Sequence, residues 1–108
     1  LGALALGDIG KHFPDTSSEF KGIDSKILLA RVMELVRSEG WEVCNADITI
    51  AMQKPKLAPY IIPMRECLSE IMGVSVGQVS VKATTTEKLG FVGRCEGCEV
   101  YAVVLLKK

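Results

Sequence analysis

The chain has 108 residues, 48% of them hydrophobic, and its 13 basic and 13 acidic side chains cancel. That length makes one domain, large enough to bury a core though not generously so. Balanced charge offers no basic tract for nucleic acid and no charged tail. The opening apolar run, Leu1–Leu6, is far too short to span a bilayer, so neither nucleic acid nor a membrane is expected as a partner. With only six aromatics and a positive mean hydropathy, such a small apolar chain suits burial against copies of itself.

Leu1–Leu6 carries no initiator Met and no basic leader. It reads as the tail of an apolar helix, and the chain as a fragment. Gly7–Thr16 holds glycines, a proline and aspartates and is expected to be a loop; its histidine, His12, is more often a solvated side chain than a ligand. Asp24 or Ser25 caps a helix to about Glu39, with Leu28, Val32, Leu35 and Val36 on one face and Gly40 stopping it. Trp41–Met52 alternates as a strand, Ala46, Ile48, Ile50 and Met52 opposing Asn45, Asp47 and Thr49. Gln53–Pro59 is a loop stiffened by two prolines. Tyr60–Met72 is a second helix with Ile61, Met64, Leu68 and Ile71 as its stripe, ended by Gly73.

Gln78–Thr84 alternates again, and Cys98–Leu106 is a last apolar strand. Two strands separated by a full helix predict a parallel crossover. The expected fold is α+β, a small mixed sheet with helices on one face and the other face left for self-association. Four cysteines, at 44, 67, 95 and 98, are too scattered for a disulfide framework. Cys95 and Cys98 read as two small residues, buried or half-buried, rather than a metal or redox pair.

Between the last two strands lies Ala83-Thr-Thr-Thr-Glu-Lys-Leu-Gly-Phe-Val-Gly-Arg-Cys-Glu-Gly97, the most chemically loaded stretch. Three threonines, a carboxylate, two cations and three glycines leave hydroxyls and amides free for a ligand. The plainer reading makes Thr84 and Glu87 a capping box. The two are compatible, because a capped helix start gathers the N–H groups a phosphate needs.

Three loops share the wording of one family. Gly7-Asp-Ile-Gly-Lys11 with Phe13-Pro-Asp-Thr16, Lys54-Pro-Lys-Leu57, and Val81-Lys-Ala-Thr-Thr-Thr-Glu-Lys-Leu-Gly-Phe91 through Gly93-Arg94 resemble the 2-C-methyl-D-erythritol 2,4-cyclodiphosphate synthases. The resemblance runs from Leu1 to Lys108 and makes residues 1–108 the C-terminal two-thirds of a synthase domain. It implies a lyase of non-mevalonate isoprenoid biosynthesis, in bacterial cytoplasm or plastid stroma, acting on a cytidine diphosphate derivative and assembling as a homotrimer with the sheets facing inward.

The same resemblance assigns the residues. Asp8, Ile9 and Gly10 hold the erythritol hydroxyls, with Phe13, Pro14, Asp15, Thr16 and Ser17 in an adjoining lid. Met52, Gln53, Lys54, Pro55, Lys56, Leu57 and Ala58 cradle the cytosine, Lys56 lying near the ribose and phosphates. Thr84, Thr85 and Thr86 meet the phosphates, Thr85 as the catalytic, transition-state-stabilising residue. Glu87 binds magnesium or manganese, and Phe91 and Arg94 complete the set. The family's zinc ligands lie upstream of the Leu1 position, so zinc is an implied cofactor whose ligands are absent from this chain. The alternative function is therefore a binding fragment that keeps nucleotide affinity without turnover. A third reading is a structural interaction domain in which the threonines only cap a helix.

Overall fold

The computed structural model describes all residues from Leu1 to Lys108. Its centre is β1 (Glu42–Ala51), which pairs in parallel with β2 (Val79–Thr84) and antiparallel with β3 (Glu99–Lys107), giving the sheet order β2-β1-β3. Four helices accompany it: α1 (Ile9–His12), α2 (Ser25–Ser38), α3 (Ile61–Met72) and α4 (Gly90–Gly93). The crossover through α3 makes β1 and β2 parallel, as the strand–helix–strand order requires. No helix is long and apolar enough to cross a membrane.

Sequence sets these boundaries through their ends. Asp24 accepts the amide of Lys26 at 2.8 Å and opens α2. At the far end Gly40 takes φ 82°, while its amide bonds Arg37 O and that of Trp41 bonds Val36 O, a Schellman closure. Gly73 ends α3 in the same left-handed conformation. β1 then carries one irregularity: Val43 pairs with Leu106 and Asn45 with Leu105, so Cys44 is an extra residue. The bulge lets Val43 and Ala46, three positions apart, share the buried face.

That face, with Val79 and Val81 of β2, meets Met33 and Val36 of α2 and Met72 of α3 in one cluster. The stripes read from the sequence overlap it: Val36 belongs to the cluster, and Val32, Ile61, Met64 and Leu68 pack against it. Met33 and Val36 are the buried residues of α2, whereas Leu28 and Leu35 are half-buried. Leu35 instead borders a cavity between α2 and residues 12–20. In α3 the buried residues are Ser69 and Met72, the latter one residue beyond the expected Ile71.

The chain also differs from expectation at its start and its turns. Leu1–Leu6 forms a short 3-10 turn, Gly2–Leu4, closed by left-handed Ala5, with Leu4 half-buried against the core. The Gly7–Thr16 loop contains α1, formed because Asp8 accepts the amide of Lys11 at 2.9 Å. A capping box does occur, at Ser75 and Gln78 ahead of β2. None forms at Thr84 and Glu87: Thr84 still belongs to β2, and α4 starts six residues later after an uncapped Leu89.

The sheet face opposite the helices is uncovered. Asp47 and Lys82 pair across it at 3.0 Å, and that hydrogen bond holds the Asp47 carboxyl below the usual carboxylate range. Tyr101 donates to Glu99, which raises the phenol's pKa. β3 exposes Val100, Tyr101, Val103 and Leu105, the most open being Val103 at 73%.

Candidate functional site

β1 and β2 end side by side, and the segments that leave them enclose a cavity of about 400 Å³. Its position beyond the carboxyl ends of parallel strands is where open α/β sheets bind ligands. One wall is Met52, Gln53, Pro55, Lys56, Leu57 and Ala58; the other is Thr84 and Thr85. Met52 donates its amide to Thr84 O at 2.9 Å, carrying the ladder one residue past β1 and fixing the two walls together. Gln53 Oε1 accepts the amide of Lys88, a longer contact at 3.4 Å.

The threonine turn spends little of its own hydrogen-bonding capacity. Thr84 Oγ1 donates to Thr85 O at 3.2 Å, and Thr85 Oγ1 accepts from the Glu87 amide at 3.3 Å. Thr86 Oγ1 donates to Leu89 O at 2.6 Å, and the Leu89 amide returns to Thr86 O. Glu87 and Lys88 are both left-handed, at φ 53° and 66°, a conformation that non-glycine residues seldom adopt twice running. The amides of Thr85 and Thr86 have no partner in the chain, and the Thr85 hydroxyl proton is likewise free. Unpaired N–H groups on a tight turn are the arrangement that cradles an anion.

The residues that sequence assigned to the site fall into two groups. Eight of them line the cavity. Lys54, Thr86, Glu87, Phe91 and Arg94 do not, although Thr86 and Glu87 continue directly from its wall. Arg94 pairs with Glu96, and the Phe91 ring lies under Gly97. None of Asp8, Ile9, Gly10, Phe13, Pro14, Asp15, Thr16 or Ser17 lines that cavity. Asp8 is engaged in capping α1, and Phe13 packs edge-on against Phe20 at 5.4 Å. Two further lining residues, Ile61 and Ala83, were not assigned to the site: Ile61 reads as part of the α3 stripe, and Ala83 as the residue that opens the threonine stretch.

For metals the donor set is sparse. Glu87 is exposed and its carboxylate enters no hydrogen bond or ion pair, so it fits a hard cation whose other ligands are phosphate oxygens and water. The chain does not fit zinc: no group of three His, Cys, Asp or Glu side chains converges. His12, the one histidine, holds its Nε2 against Leu6 O at 2.7 Å. Cys95 and Cys98 are exposed rather than buried, because left-handed Cys95 turns the chain over Phe91 at the surface, where there is no interior to enter.

Comparison with known proteins gives one answer. The YgbB family matches residues 1–107. The chain is 63% identical over 108 residues to the 2-C-methyl-D-erythritol 2,4-cyclodiphosphate synthase of Ectopseudomonas mendocina, covering all of this chain and 69% of that protein. It is 62% identical over 106 residues to the synthase of Porphyromonas gingivalis, covering 98% of this chain and 65% of that one. Among solved structures, the bifunctional IspDF of Campylobacter jejuni superposes at a TM-score of 0.93 and 43% identity, over 98% of this chain and 29% of that one. The IspF of Plasmodium falciparum in complex with CDP superposes at 0.83 and 31% identity, over 98% and 62%. The chain thus spans about two thirds of the length of these synthase relatives, 69% and 65%. Fold, loops and relatives agree, and the chain belongs to the YgbB family, that of the 2-C-methyl-D-erythritol 2,4-cyclodiphosphate synthases.

Proposed function

We propose that this chain carries the nucleotide and diphosphate half of a site that cyclises a CDP-activated methylerythritol 2-phosphate. The product is 2-C-methyl-D-erythritol 2,4-cyclodiphosphate, with CMP released. The observation that carries the reading is the cavity at the β1 and β2 ends, where the loop from Met52 to Ala58 faces two unpaired threonine amides. A space of about 400 Å³ is ample for a nucleoside, and it sets a loop of apolar residues with Gln53 and Lys56 against the N–H and O–H donors of the threonine turn.

The substrate supplies its own nucleophile. Its 2-phosphate oxygen attacks the β-phosphorus, the bond to the α-phosphate oxygen breaks, and CMP leaves with that electron pair. The chain's work is placement and charge stabilisation. The Thr85 amide and hydroxyl and the Thr86 amide would take the extra negative charge on the transferring phosphoryl oxygens. Lys56, on the facing cavity wall, adds a cation. Glu87 would hold a magnesium or manganese ion, which when bound offsets charge on the diphosphate. Zinc enters no step derived from these residues.

Asp8–Gly10 and Phe13–Ser17 would serve the erythritol end. They lie outside the cavity of their own chain, so the reading places them in the site of a neighbouring copy. The apolar exposed face of β3 supports such an assembly, which we take to be a trimer. The test is CMP release with magnesium and zinc supplied, alongside CDP affinity. Thr85→Ala should lower turnover about 10²-fold or more, as loss of a charge-stabilising donor does, while CDP affinity falls less. Turnover unaffected by Thr85→Ala would overturn the assignment. CDP affinity with no CMP release would favour a binding fragment instead.

A further inference from the structure

We propose that Arg31 is a positioning residue, whose ion pair with Glu19 holds the segment from Phe13 to Ile23 against α2 and so presents Phe13–Ser17 to substrate. The inference rests on the assignment of Phe13–Ser17 to the erythritol end.

The segment is a string of turns that closes on itself. Ser17 O accepts the amides of Phe20 and Lys21, Ser17 Oγ accepts that of Glu19, and Ile23 N returns to Phe20 O. Phe13 and Phe20 meet edge-on across its base. Bonded to itself in this way, the segment can be positioned through a single contact. Its attachment to α2 is slight. A cavity of about 440 Å³ separates the two, bordered by Phe13, Phe20, Glu34 and Leu35. Across it runs one side-chain bond, Arg31 Nη1 to Glu19 Oε1 at 3.1 Å. Both partners are half open to water, at 43% and 57%. An exposed pair of this kind is weak and salt-screened, which suits a catch that must release. Glu34, three residues on from Arg31 along the helix, offers the freed guanidinium a second partner.

The experiment is hydrogen exchange over residues 13–23, with steady-state kinetics on the same variants. Arg31→Gln or Glu19→Gln should speed exchange there about two- to fivefold, the range of an exposed pair, and leave β1 unchanged. The reversed pair, Glu19→Arg with Arg31→Glu, should restore it. Raised salt should loosen the wild-type segment and leave the variants as they are. KM should rise with exchange while kcat holds. Exchange indifferent to both single variants, or not restored by the reversed pair, overturns the tether. Exchange that responds while KM does not overturns its role toward substrate. If the wild type binds neither CDP nor substrate yet exchange responds, the reading of the site fails and the tether stands.

Discussion

Gly93 tests whether the threonine turn is held where it is by close contact. A Cβ at Gly93 would lie 2.1 Å from the carbonyl carbon of Lys88 and 2.6 Å from its Cα and O. All three are backbone atoms, so no side chain can swing aside. Reaching ordinary contact at 3.4 Å needs a displacement of about 3.4 − 2.1 = 1.3 Å. Lys88 is left-handed and sits directly between Glu87 and Leu89, whose amide bonds Thr86. A push on Lys88 therefore reaches the threonines. Overpacking of this kind costs about 1–3 kcal/mol, offset by up to about 1 kcal/mol for replacing a helical glycine. Gly93→Ala is thus expected to destabilise by about 1–2 kcal/mol, a fall in Tm of about 5–10 °C for a domain this size. If the turn yields rather than the fold, Tm holds and CDP affinity drops instead, because a shift of about 1 Å takes the threonine amides out of hydrogen-bonding range of a phosphate. Thermal unfolding and CDP titration on one preparation read both. An alanine variant with wild-type Tm and wild-type CDP affinity would refute the contact argument.

Three further outcomes follow from single contacts. Val79 is 1% exposed; Val79→Ala removes two buried carbons and should lower the unfolding free energy by about 2 kcal/mol in urea titration. The lowered pKa of Asp47 makes its contribution present above the ordinary aspartate value and lost as pH falls through the lowered folded value. Asp47→Asn should therefore flatten the acid limb of stability below about pH 4 and leave its shape near neutrality alone, read as urea midpoint against pH. Val103 is 73% exposed on β3; Val103→Lys should shift sedimentation towards the monomer with the monomer's helix content intact, and an unshifted profile would remove β3 from the assembly.

Much of the fold was open to reading because it depends on local chemistry. Asp24 and Gly40 bound α2, the alternation through Ala46, Ile48 and Ile50 marks β1, and a helix between two strands makes them parallel. What escaped was tertiary. The bulge at Cys44 shows only in the pairing with β3, where Val43 lies opposite Leu106 and Asn45 opposite Leu105. Asp8 begins a helix inside what glycines and a proline mark as loop. Thr84 and Glu87 match a capping box by spacing, yet the chain turns left-handed at Glu87 and Lys88, and no helix starts before Gly90 for Thr84 to cap. Cys95 and Cys98 look like interior residues until the chain doubles back over Phe91.

The site shows the same division, and its failed cap explains its chemistry. Had Thr84 and Glu87 closed a box, the first amides of a helix would have been satisfied by side chains and pointed along that helix. Instead β2 holds Thr84 in line with Ala51, and the chain must turn sharply through two left-handed residues before α4 can start. The cost of that turn is strain of about 1–3 kcal/mol for each such residue. Its consequence is that the Thr85 and Thr86 amides reach the surface unpaired, beside the loop that Met52 ties to Thr84. Three adjacent threonines are suited to this, since each can bond its neighbours through a hydroxyl and leave its amide free. A glycine turn would be less strained but would lose the hydroxyls that brace it at 85 and 86. The local rule is broken where a ligand would restore it, and on that physical ground we propose the diphosphate there.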